Sequence, residues 1–137
     1  MRNFQNLDTV KHNAATDSLE FYLTADADDL PQLWMRREGI YVTISASYGP
    51  LELAMRPRYE DLVRTLSRLS VVEGLSTTRQ VGTGQAYVAV GLSAEDELLM
   101  RLTIVADATG HVSLNVALTA HAKQSLYDWL EVSKARA

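Results

Sequence analysis

Ile40-Tyr41-Val42-Thr43-Ile44-Ser45-Ala46-Ser47-Tyr48-Gly49-Pro50-Leu51-Glu52-Leu53-Ala54-Met55, running on through Pro57 into Tyr59 to Leu69, is the stretch on which the fold turns. From Ile40 to Ala46 aliphatic residues alternate with Tyr41, Thr43 and Ser45, the period of a half-buried strand. Tyr48-Gly49-Pro50 is a turn, and Leu51, Leu53 and Met55 then alternate again. After Pro57 the period changes. Tyr59, Leu62, Val63, Leu66 and Leu69 recur at spacings of three and four, one apolar stripe of a helix with Arg64, Ser67 and Arg68 outward. Pro57 suits the approach to a helix, and Glu60 and Asp61 in its first turn suit the helix dipole. A hairpin therefore leads directly into an amphipathic helix.

Upstream, Leu19, Phe21 and Leu23 alternate in a further strand. The segment 26–38 reads in two ways. Asp28 caps a short helix holding Leu30, Leu33, Trp34 and Arg37, closed by Gly39; or Gln32 to Arg37 is a strand hairpinned through Glu38-Gly39. The strand is favoured, because it makes the two halves of the chain match. Residues 1–17 are polar and aperiodic, and read as a poorly ordered leader. Downstream, strands are expected at Ser76 to Val81, Gln85 to Leu92, Leu98 to Ala108 and His111 to Leu118, with turns at Gly82/Gly84 and Thr109-Gly110. A last helix from Ala120 to Lys134 buries Leu126, Trp129, Leu130 and Ala122.

Side by side, the halves agree in order. Val42-Thr43-Ile44 corresponds to Leu102-Thr103-Ile104; Leu51, Leu53 and Met55 correspond to Val112, Leu114 and Val116; Leu66 and Leu69 correspond to Leu126 and Trp129. The expected architecture is α+β: one domain over 18–137 made of two ββββα halves, about 18–72 and 73–137. Each half has an antiparallel sheet with a helix on one face, and a pseudo-twofold axis relates them. With hairpin Ile40 to Met55 running into Tyr59 to Leu69, and Leu98 to Leu118 running into Ala120 to Leu130, the layout resembles the single-stranded-DNA-binding superfamily of the PC4 coactivator core and the Whirly proteins. The resemblance is topological, covers roughly 19–133, and implies single-strand binding on a sheet.

The chain has 137 residues, 47% hydrophobic and 22% charged, which is the composition of an ordinary globular domain. The absence of cysteine excludes disulfide scaffolds, thiolate metal sites and thiol nucleophiles. The N-terminus has no apolar core of a secretory signal, and no stretch approaches a membrane span, so a cytoplasmic protein is expected. The net charge of −4 argues against a duplex-binding protein. Residues 34–68 are nevertheless positive: Arg36, Arg37, Arg56, Arg58, Arg64 and Arg68 stand against Glu38, Glu52, Glu60 and Asp61.

The outward strand positions are the candidate site. Tyr22, Trp34, Arg36, Tyr41, Tyr87 and Arg101 are expected on the face away from the helices, as a nucleic-acid-binding surface where rings stack on bases and arginines meet phosphates. The same open face also suits a homodimer interface. Other motifs read as structural. Gly82-Thr83-Gly84 lacks the lysine of a phosphate loop, and Asp26, Asp28 and Asp29 lack the glycine and closing glutamate of a calcium loop. His12, His111 and His121 have no metal-ligand spacing, and no nucleophile elbow or paired carboxylates are framed. The expectation is a non-enzymatic binding module without cofactor or metal. Its partner is a single-stranded nucleic acid or, alternatively, a second copy of the chain.

Overall fold

The computed structural model describes residues 5–23, 33–69, 79–107 and 109–132. Ten strands and two helices follow in order: β1 (Gln5–Leu7), β2 (Thr9–Asn13), β3 (Ser18–Tyr22), β4 (Leu33–Glu38), β5 (Tyr41–Tyr48), β6 (Leu51–Met55), α1 (Tyr59–Ser67), β7 (Arg79–Gly82), β8 (Ala86–Leu92), β9 (Leu98–Asp107), β10 (Gly110–Leu118) and α2 (Ala120–Leu130). They form two five-stranded sheets. Sheet A has the order β1-β10-β9-β8-β7, and sheet B is the meander β2-β3-β4-β5-β6. All pairs are antiparallel except β1 with β10, which run parallel. The protein is thus α+β. Leu33–Glu38 is a strand, in line with the favoured reading; Asp26, Asp28, Asp29 and the start of the strand expected from Ser76 lie outside the described residues.

The alternation translates directly into burial. Leu19, Phe21, Leu33, Met35, Val42, Ile44 and Ala46 of sheet B are buried, as are Val88, Val90, Leu98, Met100, Leu102, Val116 and Leu118 of sheet A. Leu62, Val63 and Leu66 of α1 and Ala122, Leu126 and Leu130 of α2 complete the same core. Each fully buried large aliphatic or aromatic side chain contributes about 1.5–3 kcal/mol. The helices are tied to each other by a reciprocal pair of bonds. The Tyr59 hydroxyl donates to the Leu130 carbonyl at 2.5 Å, and the Tyr127 hydroxyl donates to the Leu66 carbonyl at 3.2 Å.

Several expectations need correction. Residues 1–17 are not simply a leader: Gln5–Leu7 closes sheet A and Thr9–Asn13 edges sheet B, with Leu7 wholly buried. Strands of three and five residues are too short to display a period, and β1 is held by β10, far away in sequence. Asp8 lies between them, its amide donating to the Tyr22 carbonyl while the Thr119 amide donates to the Leu7 carbonyl. Ile40 and Leu51 are not inward: both sit beside hairpin turns whose Gly39 and Gly49 have positive φ, and both are exposed. Helix α2 runs from Ala120 to Leu130 and is interrupted at Glu131, which turns left-handed at φ 59°; Lys134, the expected end of the helix, lies outside the described residues. Trp129 is only partly buried, since its indole N–H reaches out to Asp17 Oδ1 at 2.8 Å.

Four strands followed by a helix do occur twice, as β3–β6 with α1 and β7–β10 with α2. The residue-by-residue correspondence does not hold. Ile44 pairs with Met55, which requires Ile104 to pair with Val116, whereas Ile104 pairs with Val112. Among the described residues, no helix is long and apolar enough to cross a membrane.

Candidate functional site

The inward faces build the core, which leaves the outward faces to meet a ligand. The outer face of sheet B carries Lys11 on β2, Glu20 and Tyr22 on β3, Trp34, Arg36 and Glu38 on β4, Tyr41, Thr43, Ser45 and Ser47 on β5, and Glu52 and Ala54 on β6. One row across the sheet reads Lys11, Glu20, Trp34, Ser45, Ala54; the next reads Asn13, Ser18, Arg36, Thr43. Small residues on one side of Trp34 leave a shallow hollow of about 360 Å³, bounded by Trp34, Thr43, Ser45, Ser47, Glu52 and Ala54. One side of the indole therefore opens onto a hydroxyl-lined surface. Arg36 is exposed and makes no ion pair among the described residues.

Tyr41 is less available. The Arg56 guanidinium stacks over its ring at 4.9 Å, and the same guanidinium approaches Glu38 Oε2 at 3.7 Å. Glu38 also accepts a short hydrogen bond from the Thr43 hydroxyl. This edge of the face is knit together internally. Arg37, by contrast, points to the other side and stacks on Tyr59 at 4.5 Å, where it anchors the start of α1.

Of the six expected site residues, Tyr22, Trp34, Arg36 and Tyr41 thus share the outer face of sheet B. Tyr87 and Arg101 do not join them. They lie on sheet A, in an open groove of about 610 Å³ lined by Tyr87, Arg101, Thr103, Val105, Asp107, Thr109, Gly110, His111 and Ser113. Alternation gives the parity of a residue within its strand but not the sheet to which the strand belongs, which is why the two sets merged in the sequence. In the groove, Arg101 Nε donates to Asn115 Oδ1 at 2.8 Å, and the buried Thr103 hydroxyl shares a 3.0 Å bond with that of Ser113. At the far end, Asp107 Oδ1 accepts from the Thr109 hydroxyl at 2.5 Å and from the Thr109 amide at 2.6 Å. Those bonds, the hydroxyl first, hold the Asp107 carboxyl below its ordinary value.

A third hollow, of about 450 Å³, was not legible in the sequence. Val10, His12 and Leu19 of β2 and β3 face His121, Ser125, Asp128 and Trp129 of α2. It brings two histidines into one cleft, with Asp17 bridging Trp129 and lying 3.9 Å from His12 Nε2. Among the described residues, no group of three or more His, Asp or Glu side chains is placed to hold a metal. The sequence matches no protein-family model and no curated protein.

Proposed function

We propose that the protein is a non-enzymatic binding module that takes single-stranded nucleic acid across the outer face of sheet B. The observation that carries this reading is the placement of Trp34 and Arg36 at consecutive outward positions of β4, with Tyr22 on the adjacent strand β3 and Lys11 one strand further out on β2. The open side of the Trp34 ring offers stacking of about 1–3 kcal/mol per base, and the Arg36 guanidinium beside it, with no ion pair among the described residues, meets the phosphate. The patch beside Trp34, formed by Thr43, Ser45, Ser47 and Ala54, is small and mostly hydroxylated, which admits any base. The tandem order of four strands and a helix supports the same reading, as a diverged duplication in the manner of the Whirly-like layout.

The charges on this face nearly cancel, since Glu20, Glu38 and Glu52 stand among Lys11, Arg36 and Arg56. The proposal is therefore of weak, stacking-led binding. With about two phosphates neutralised, log K falls with log salt at a slope of about −1.4. Fluorescence anisotropy with a labelled oligonucleotide tests it. Saturable binding at low salt, lost in Trp34→Ala and weakened in Arg36→Gln, is the expected result; no binding at tens of micromolar protein refutes it.

A second reading is a homo-oligomer that uses the same face as its interface. It is favoured by Tyr48 and Leu51, an apolar pair exposed by 63% and 42% at the tip of the β5–β6 hairpin, on the core side of sheet B beyond the buried Ala46–Leu53 pair, which a second copy reaching round the rim of that face would cover. Sedimentation at high concentration separates the two: a strict monomer removes the second, and a dimer in which Trp34 is quenched removes the first.

A further inference from the structure

We infer that the groove on the outer face of sheet A is an oxyanion-binding site, with Arg101 as its principal donor and a phosphoryl or carboxylate group as its ligand chemistry. Arg101 stands on β9, two strands in from either edge of sheet A, with Ala89 directly across on β8 and Asn115 directly across on β10. The alanine offers the guanidinium no side-chain hydrogen-bond partner. The asparagine engages Nε and leaves the two terminal amino groups without a protein partner among the described residues. A guanidinium tethered by one side chain loses little freedom on binding, and its remaining fork matches the two oxygens of a carboxylate or phosphoryl group.

The neighbouring row supplies further polar groups. Thr103 and Ser113 lie directly opposite each other, one step along from Arg101, with Tyr87 opposite Thr103 on the other side. Their shared hydroxyl bond uses one of two hydroxyl protons and leaves the other free to donate into the groove. The ionised Asp107 does not neutralise the site. It lies six residues along the same strand, about 20 Å away at the usual rise, which is about two Debye lengths at 0.1 M salt. The groove continues past Val105 and His111 toward Asp107, so it admits an elongated molecule with its anionic end on Arg101. This site shares no residue with the Trp34 face, and either proposal stands if the other fails.

The test is solution NMR of the full chain, following the Arg101 Nε–Hε signal and the Thr103 and Ser113 amides. Sodium phosphate and sodium acetate are titrated separately at constant ionic strength against sodium chloride. Saturable shifts at these three groups with phosphate alone assign a phosphoryl ligand; with acetate alone, a carboxylate; with both, a general oxyanion site. Arg101→Lys weakens binding about tenfold while keeping the charge, because the fork is lost. Arg101→Met abolishes it, and Asn115→Ala weakens it by loosening the guanidinium. Shifts no larger than those in chloride overturn the inference. So do saturable shifts that persist in an Arg101→Met protein whose remaining spectrum is native. If the substituted proteins do not fold, the wild-type comparison of the three salts decides alone.

Discussion

Leu7 is wholly buried although its strand has only three residues. Leu7→Ala keeps the backbone pairing of Gln5 with Val116 and Leu7 with Leu118, and keeps the Thr119 amide bond to the Leu7 carbonyl. It removes only apolar carbon from the core. Buried leucine-to-alanine changes cost about 2–5 kcal/mol, and an edge strand relaxes more readily than a central one, so about 2–3 kcal/mol is expected here. That is a large share of a domain stability of about 5–15 kcal/mol. At about 3–5 °C per kcal/mol for a chain of this size, Tm falls by about 6–15 °C. Urea unfolding followed by tryptophan fluorescence and by circular dichroism measures it, with the denaturant slope unchanged. Lys11→Ala, at an exposed position nearby, serves as control and stays within about 0.5 kcal/mol. A Leu7→Ala protein as stable as that control refutes the placement of β1 in the core.

Three further outcomes are expected. Gly82→Ala loses about 3 kcal/mol or more by thermal unfolding, because Gly82 has φ +129° and an added Cβ falls 2.4 Å from the Ala86 carbonyl oxygen; a change below 1 kcal/mol counts against this turn. Tyr59→Phe and Tyr127→Phe each lose about 1 kcal/mol, and the double variant departs from additivity because both hydroxyls join the same two helices; strict additivity removes the idea that they act together. Asp107 titrates below 3.8, and Thr109→Ala returns it toward that value, as carboxyl carbon NMR reads directly. Its folded pKa is the lower one, so the stabilisation it gives is complete above the unfolded value and is lost as pH falls through the folded pKa, below about pH 4; an unchanged titration in Thr109→Ala refutes the assignment.

Local periodicity carried most of the architecture. The change from period two to spacings of three and four after Pro57 located α1, and the parity of Val42, Ile44 and Ala46 against Tyr41, Thr43 and Ser45 told inside from outside. What local pattern does not encode is pairing at long range. Nothing in Gln5-Asn6-Leu7 announces a partner in Val116-Ala117-Leu118, and nothing in the spacing of His12 and His121 says that β2 and α2 meet. The candidate site was legible to the same degree. Four of its six residues fall on one face by parity, while Tyr87 and Arg101 obey the same parity on a different sheet. The Asn115 that engages Arg101 gave no signal, since a lone asparagine in a strand acquires meaning only from the residue opposite.

The parallel pairing of β1 with β10 also sets an order of events. Strand β1 is synthesised well before β10, yet its pairing waits until β10 has been made and has paired with β9. Closing so long a loop costs entropy before any contact is gained, and such pairings form late. Sheet B and the β7–β10 part of sheet A are meanders of consecutive strands that pair as they emerge, whereas β1 waits for β10. Insertion of β1 is therefore expected late in folding, and a chain lacking β10 leaves β9 and the apolar Leu7 without their native cover.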